Sequence, residues 1–552
     1  MTVLVHLLHV LLVGLAWWIF KVIQVVHSTR GQPGFVALFQ PYSEFGQVFF
    51  PMHWRFNLGI SLIWKLKTDI YRKYNSNVIV VPSLFPPVVT VLVADAQAIN
   101  QTNSDHQTFV KDPMSNGSVA TLFGPSILTS EGAEWRRHRK VVVSAFSERN
   151  TSALWDATVD LVEKWIEDTQ ARAGEGKEIL VKNSEEVWAC LALLIMGRAG
   201  FGIDFGWPFG SMEEEKSADS SDVPHDKFYV AASSILNNWI PLAFLPKIFL
   251  RPFPLTNYIK RAAAGQEVFE KELRQVVAKR VEEVKFVGKN GSEDKHDILT
   301  LLCRANVLED SKSKLSDEEL FSDAFVFLIA GHETTAGSLA ALFALLAIHP
   351  SYQDAIFKEV TAHLEESGSQ FTYSSSYRSL PVTLAVVQET LRLAGPAQGL
   401  LRRTTVPTEL PSRVVGQDGT TAEGNYVKVP SGAFVRQHVQ GVHYSDVWED
   451  PESFKPERFL AKGKMGEQMK AFLPFNSGSR GCPGRQFALV ESVALVASIL
   501  LKYKIEIPAH EQEEWALRDG ESENIRRDRV LKPLNFFTLA PQDVDLVCVP
   551  RE

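Results

Sequence analysis

The sequence predicts a mostly α fold with small β-sheets, arranged as one large domain behind an N-terminal membrane anchor. Three observations carry that expectation. Apolar residues recur at three- and four-residue spacing through most of the chain; the β-branched runs are short and few; and no repeat or low-complexity linker divides the 552 residues. With 45% hydrophobic residues there is ample material for a core. A net charge of −8 and a pI near 6.0 argue against nucleic acid as a partner. The four cysteines, Cys190, Cys303, Cys482 and Cys548, contain no C-x-x-C pair and do not make a disulfide framework, which fits a reducing, cytosol-facing compartment.

The anchor is residues 1–28. Its apolar span, about residues 3–26, is long enough to cross ~30 Å of hydrocarbon. A cleaved signal peptide is the rival reading, but no basic segment precedes the run and no small-x-small site follows it. Trp17 and Trp18 suit an interface. Lys21 and Arg30 follow the span's apolar core and no Lys or Arg precedes it, which places the rest of the chain, residues 29–552, in the cytosol. The Asn-x-Ser/Thr matches at Asn100, Asn116, Asn150 and Asn290 then never meet the glycosylation machinery.

After a Gly- and Pro-bearing hinge (RGQPG), IWKLKTDIYRKY has helical periodicity. VIVVPS and VVTVLVA flank a Phe-Pro-Pro turn and predict a hairpin. Helical patterns follow in DATVDLVEKWIEDTQAR, VWACLALLIMGRAGFG and AGQEVFEKELRQVVAKRVEEVKF. Residues 211–226 are acidic and Ser-rich and predict a surface loop. Residues 235–255 are apolar but broken by Pro241, Pro246, Pro252 and Pro254, so they are not one spanning helix; they are either core packing or a lip against the membrane.

A long helix starts after Leu315. Ser316 and Glu319 form an S-x-x-E capping box between Leu315 and Leu320, and apolar sequence runs on until Pro350, roughly 30 residues. Polar residues interrupt it midway at AGHETT, residues 330–335, where Glu333 and Thr334 offer an acid and a hydroxyl for proton relay. Ala330 and Gly331 allow close approach of a flat ligand. Back-bonding by Thr, or a local bulge, would open the helix there. His332 does not begin H-E-x-x-H, because Ala336 stands where the second histidine would be.

QETLRL puts Glu389 and Arg392 on one helix face, ordinarily a solvated pair contributing only ~0.2–0.5 kcal/mol. FKPERF, with Arg458, follows. Upstream, EWRRHRK puts Trp135 and Arg139 on one face. The densest signal is FNSGSRGCPGRQFALVE, residues 475–491. There Gly478, Gly481 and Gly484 allow tight turns and positive φ around Cys482, and a helix N-terminus just beyond it lowers the thiol pKa. Arg480 offers a cation to a carboxylate of a cofactor, and Phe475 a flat apolar partner for a large ring.

The pattern F-x-x-G-x-R-x-C-x-G resembles the haem-binding loop of the cytochromes P450. AGHETT resembles that family's oxygen-activating segment, and E-x-x-R, P-E-R-F and W-x-x-x-R stand in the family's order. The resemblance implies a cytochrome P450 fold and haem b held by the Cys482 thiolate. Trp135, Arg139, Ala330, Phe475, Arg480 and Gly484 would lie around the cofactor, and Glu389, Arg392 and Arg458 would steady its loop. It implies a monooxygenase fed by NADPH-cytochrome P450 reductase, with cytochrome b5 as an optional second donor, on a single-pass endoplasmic reticulum anchor. Phe325, Ile329, Ala397, Leu400, Phe537 and Thr538 are the expected pocket residues. Their apolar character and the likeness to fungal microsomal members point to a hydrophobic substrate such as a terpenoid or sterol-like product. The alternatives are an isomerase or dehydratase on the same scaffold without external electrons, which Glu333 and Thr334 argue against, and a non-catalytic haem sensor or carrier.

Overall fold

The computed structural model describes residues 2–41, 64, 67–111, 124–174, 176–207, 209, 257–290, 297–308, 314–397, 399–460, 466–532, 534–535, 538–542 and 544–551. The predicted acidic loop at 211–226, the Pro-broken stretch at 235–255 and Phe537 lie outside these residues.

Helices dominate: α1 (Thr2–Ser28), α2 (Ala96–Ser104), α3 (Gly132–Ala145), α4 (Glu148–Ala173), α5 (Ser184–Ile195), α6 (Asn257–Asn290), α7 (Ile298–Leu308), α8 (Asp317–Ile348), α9 (Pro350–Ser367), α10 (Pro381–Ala394) and α11 (Arg485–Lys502). A six-stranded sheet has the order β1 (Ala37–Phe39), β2 (Val78–Phe85), β3 (Val89–Val93), β7 (Phe434–Gln437), β6 (Leu401–Thr404), β4 (Phe109–Val110). The predicted hairpin is its β2–β3 pair, with Val80 opposite Val91 and both buried. Strand β7 joins β3 in parallel and β6 antiparallel, so the sheet brings sequence from both halves together. A second sheet runs β8 (Tyr503–Glu506), β11 (Leu546–Pro550), β5 (Ile179–Val181), and a short pair, β9 (Leu534–Asn535) and β10 (Leu539–Ala540), forms a hairpin near the C-terminus.

Helix α8 is the axis of the core. Its capping box forms as the sequence predicts: the Glu319 N–H donates to Ser316 Oγ (3.2 Å) and the Ser316 N–H to Glu319 Oε2 (2.7 Å). Leu315 and Leu320 on either side are both buried. The helix packs on α5, where Trp188 stacks on Phe343 with ring centroids 4.5 Å apart. Against it also lie α6, α7, α10 and the β9–β10 hairpin. Helix α11 packs on α4 and α10, so the chain just after Cys482 is fastened to the same core.

Two described helices are long and apolar enough to cross a membrane by length and composition, and burial separates them. Most of α8 is buried, as a core helix should be. The apolar side chains of α1 are exposed, Val10 at 70% and Leu11 at 67%. So much contiguous apolar surface on a water-facing helix is unfavourable, and a bilayer is the solvent that suits it. In its second half α1 meets the rest of the protein: Trp18 stacks on Phe85 (4.8 Å) and its Nε1–H donates to the Leu84 carbonyl (3.0 Å). All four cysteines are free. Asn150 is buried and its Nδ2 donates to the Ala145 carbonyl (2.7 Å).

Candidate active site

The Cys482 loop is shaped by its own backbone. The Cys482 N–H donates to the Phe475 carbonyl (2.9 Å) and the Gly481 N–H to the Gly478 carbonyl (3.1 Å). The glycine pattern allows positive φ around Cys482. The structure has positive φ at Gly478 (φ +67) and at Asn476 (φ 60), while Gly481 (φ −58, ψ 153) is extended and Gly484 (φ −83, ψ 10) also keeps a negative φ. Asn tolerates the left-handed region better than most residues, so the second turn did not need glycine. Gly484 is the N-cap of α11, and its N–H lies against the Cys482 sulfur. Cys482 keeps accessible surface. The sequence predicts a lowered thiol pKa; in the structure burial by the surrounding protein raises it, opposed by the Gly484 N–H and the Arg139 guanidinium. The two helpers are those a helix N-terminus and a nearby cation supply, but desolvation outweighs them for a free thiol.

Helix α2 braces the loop, through residues the sequence reading did not single out. Asn103 Nδ2 donates to Asn476 Oδ1 (2.5 Å) and Ser477 Oγ (2.9 Å), and Ser477 Oγ bonds Asn100 Oδ1. Gln437 at the end of β7 donates in turn to Asn103 Oδ1 (2.7 Å). Asn100, which matches a glycosylation sequon, is thus engaged in the loop.

From α10, Arg392 and Glu389 reach the same loop by another route. The pair is fully buried and bidentate, Arg392 Nε to Glu389 Oε2 and Nη2 to Oε1 both at 2.8 Å, and so differs from a solvated surface pair. Glu389 Oε1 also accepts from Arg458 Nε (3.1 Å) and the Lys455 N–H (2.9 Å). Arg392 Nη1 donates to the carbonyls of His443 and Pro451, each at 2.7 Å. His443 passes the connection on. Its Nδ1 donates to the Arg392 carbonyl (2.9 Å) and its Nε2 accepts from the Leu473 N–H (2.9 Å), two residues before Phe475. Burial and the Arg392 charge push the His443 pKa down to about 3, so the ring stays neutral and keeps an acceptor for Leu473.

Opposite the loop's other flank, cations crowd together. Arg480 lies over the Trp135 ring, 3.6 Å from its centroid, and is paired with Glu131. Arg139 Nη1 donates to the Gly481 carbonyl (3.0 Å). Lys111 and Arg402 are both buried near Arg480. Burial first and the Arg480 charge second push Lys111 down to about 7 and Arg402 to about 10. Lys111 Nζ has the carbonyls of Ile127 (2.9 Å) and Ser130 (3.2 Å). Arg402 Nη2 and Arg480 Nη1 are buried with no hydrogen-bond partner among the described residues. Orphaned guanidinium donors in such company call for added anions, and the two carboxylates of a porphyrin meet that need. The residues present therefore fit haem. Sequence reasoning missed Arg402, Lys111 and His106, whose Nε2 bonds Ser479 Oγ (2.6 Å). The one available signal was the R-R pair in LLRRTT, where β6 alternation buries one arginine and exposes the next.

On α8 the polar break leaves the helix unbroken. Thr334, Thr335 and Ser338 hydroxyls donate to the carbonyls four residues back, at 2.7, 2.9 and 2.7 Å. The back-bonding that the sequence allows is present, but it does not open the helix, which is continuous over Asp317–Ile348. The described π-turn is elsewhere, at Met196–Phe201 after α5. Gly331 makes room for that turn: a Cβ there would lie 2.4 Å from Met196 Cε. Ala330 is half-buried. Glu333 does not bond Thr334. Its Oε1 accepts from Thr538 Oγ (2.9 Å), and burial, opposed by that hydroxyl, raises its pKa to about 7. The expected pocket residues divide. Thr538 meets Glu333, and Pro396 beside Ala397 accepts from the Leu539 N–H (2.9 Å). Ala397 is exposed and Leu400 half-buried, whereas Phe325 packs edge-on against Phe269 of α6 (5.7 Å) and Ile329 is also buried.

Comparison with known proteins identifies the family. The family model for Cytochrome P450 matches residues 64–520. Cytochrome P450 monooxygenase 124 of Postia placenta is 31% identical over 494 residues, 89% of this chain and 88% of that protein. Cyclooctat-9-en-7-ol 5-monooxygenase of Streptomyces melanosporofaciens is 29% identical over 70% of this chain and 73% of its own length. Among solved structures, the haem domain of cytochrome P450DA shares the fold, with a TM-score of 0.68 at 20% identity over 91% of this chain and 97% of that one. The chain belongs to the cytochrome P450 family and is a haem b-dependent P450 monooxygenase.

Proposed function

We propose that this chain is a membrane-anchored oxygenase of lipophilic compounds in which the Cys482 thiolate would hold the iron of the haem. The observation that carries the reading is the Cys482 sulfur, accessible and flanked by the Gly484 N–H and Arg139, in one site with Arg402 and Arg480 donors that have no partner among the described residues. Bound haem supplies the iron at which O2 is reduced and one oxygen atom is transferred. The Cys482 thiolate would push electron density toward that iron. Trp135, Arg139, Arg402 and Arg480 would orient the cofactor's carboxylates, and Phe475 and Gly484 would help to hold it.

The proton is held by α8. Glu333 Oε2 is buried with no partner among the described residues, and a pKa near 7 leaves the carboxyl largely protonated below neutrality. Thr334 Oγ donates its own proton to the Ala330 carbonyl, so its lone pairs face outward as acceptors that order a second donor.

Electrons come from NADPH through a separate reductase, with cytochrome b5 as a second source, and α1 holds the enzyme on the endoplasmic reticulum with residues 29–552 in the cytosol. The substrate class is argued from the exposed apolar α1, from Ala397 and Leu400 beside the C-terminal hairpin, and from a relative named for oxygenating an alicyclic alcohol. Terpenoid or sterol-like molecules fit. The test is expression of the full chain with a fungal reductase in microsomes. The reduced carbon monoxide difference spectrum should show the long-wavelength Soret band that names the family, and Cys482→Ala should lose it; a band unchanged in that variant refutes the ligand. Feeding terpenoids, sterols, fatty acids and small aromatics, with mass spectrometry for the gain of one oxygen atom, tests the substrate. Oxidation of only small polar compounds would refute the lipophile reading.

A further inference from the structure

The acid of α8 is not left to its own helix. Glu333 and Gly337 stand four residues apart and so share one face, and the β9–β10 hairpin docks on that face. A Cβ at Gly337 would lie 3.1 Å from the Leu539 carbonyl oxygen, so the missing side chain lets the hairpin backbone approach the helix. The Leu539 N–H is tied to the Pro396 carbonyl (2.9 Å), which fixes the hairpin against the segment following α10. Held from both sides, the preceding residue, Thr538, is only 9% exposed and aims its hydroxyl at Glu333 Oε1 (2.9 Å). The other carboxyl oxygen, Oε2, is left buried without a partner among the described residues.

We propose that Thr538, reaching across from the C-terminal hairpin, is the residue that positions the Glu333 carboxyl for proton delivery. The hydroxyl pins one oxygen, which fixes the carboxyl plane and leaves the second oxygen, where the proton resides, turned away from the hairpin. The inference rests on Glu333 being the proton donor. No charged side chain among the described residues shifts Glu333: burial pushes its pKa up and the Thr538 hydroxyl alone opposes it. The neighbouring His332 is bonded to the Leu328 carbonyl (2.8 Å), and burial pushes its pKa down to about 4, so it is neutral. A hydroxyl donating to a carboxylate stabilises the ionised form, so removing it raises the pKa.

Infrared difference spectroscopy of the haem-loaded protein across pH reads this directly, through the carbonyl stretch of a protonated carboxyl. The Glu333 band is the one lost in Glu333→Gln. In the parent its titration midpoint should lie near 7. Thr538→Val should move it up by about one pH unit, while Thr538→Ser restores it. Hydrogen peroxide released per NADPH consumed, with reductase, should follow the same midpoints, with peroxide rising once Glu333 ionises. An unmoved midpoint in Thr538→Val, or equal midpoints in the Val and Ser variants, overturns the role of Thr538. Peroxide release that keeps its pH dependence in Glu333→Gln overturns the proton-donor reading instead. Should the Val variant lose its haem, Thr538→Ala makes the same deletion with less bulk.

Discussion

Replacing Glu389 by Gln keeps the side chain's shape and removes its charge, which isolates what the buried ion pair does. Glu389 and Arg392 are fully buried, and Arg458 is 8% exposed. In the variant two guanidiniums remain with no anion. One atom of the new amide is also a donor set against the Arg392, Arg458 or Lys455 donors that Glu389 accepts from now. Breaking a buried pair by removing one partner costs about 3–5 kcal/mol. The low end is the better figure here, because Arg392 keeps the His443, Pro451 and Ser453 carbonyls. At about 2.1 cal/mol/K per residue over roughly 520 residues, the unfolding entropy is ~1.1 kcal/mol/K, so the midpoint should fall by ~3 °C. The assay is thermal loss of the reduced carbon monoxide band, with Glu365→Gln on the exposed face of α9 as the control that moves less than about 1 °C. Because the network ends at Leu473 through His443, decay in the Gln variant should pass through the shorter-wavelength, thiolate-free form. A midpoint within 1 °C of the parent would refute the reasoning.

Thr334→Ala should retain haem but release hydrogen peroxide in place of product, measured per NADPH; equal coupling would remove Thr334 from the proton path. Arg402→Leu takes away a buried Nη2 donor that has no partner among the described residues, so it should spare folding and lower haem retention roughly 10-fold in a haem-transfer assay to apomyoglobin. Deleting residues 1–28 should move the protein from the carbonate-washed membrane pellet to the supernatant. Full retention in the pellet would show that other surface holds the membrane.

What the sequence made legible was local. The Ser316–Glu319 box is an i, i+3 relation, and nothing beyond one turn is needed to form it. The Cys482 loop was legible as a pattern but not in its dihedrals, since Asn476 and a glycine can each supply a left-handed residue. The pairing of Glu389 with Arg392 followed from helix geometry. Its burial did not, because burial depends on carbonyls at 443, 451 and 453 that arrive from elsewhere in the chain. The cation cluster was least legible: Lys111, Arg402 and Arg480 come from three segments joined only by the sheet and the loop.

Glu333 and Thr334 show why adjacency in sequence misleads on a helix. Consecutive residues point about 100° apart, so an acid and a hydroxyl side by side in the chain serve different neighbours. Thr334 turns back onto its own helix at Ala330, and Glu333 turns out to the hairpin at Thr538. The division is useful for proton traffic. A donor bonded to its own relay would spend its hydrogen bond there, whereas an acid held from behind keeps its second oxygen free, and a hydroxyl whose proton is occupied can only accept. The two groups can then act in series along α8, the carboxyl as source and the hydroxyl as the acceptor that orients what comes between them. Gly337, by admitting the hairpin one turn later, makes that geometry possible, so a Cβ there should disturb proton delivery through Thr538 even though Gly337 carries no chemistry of its own.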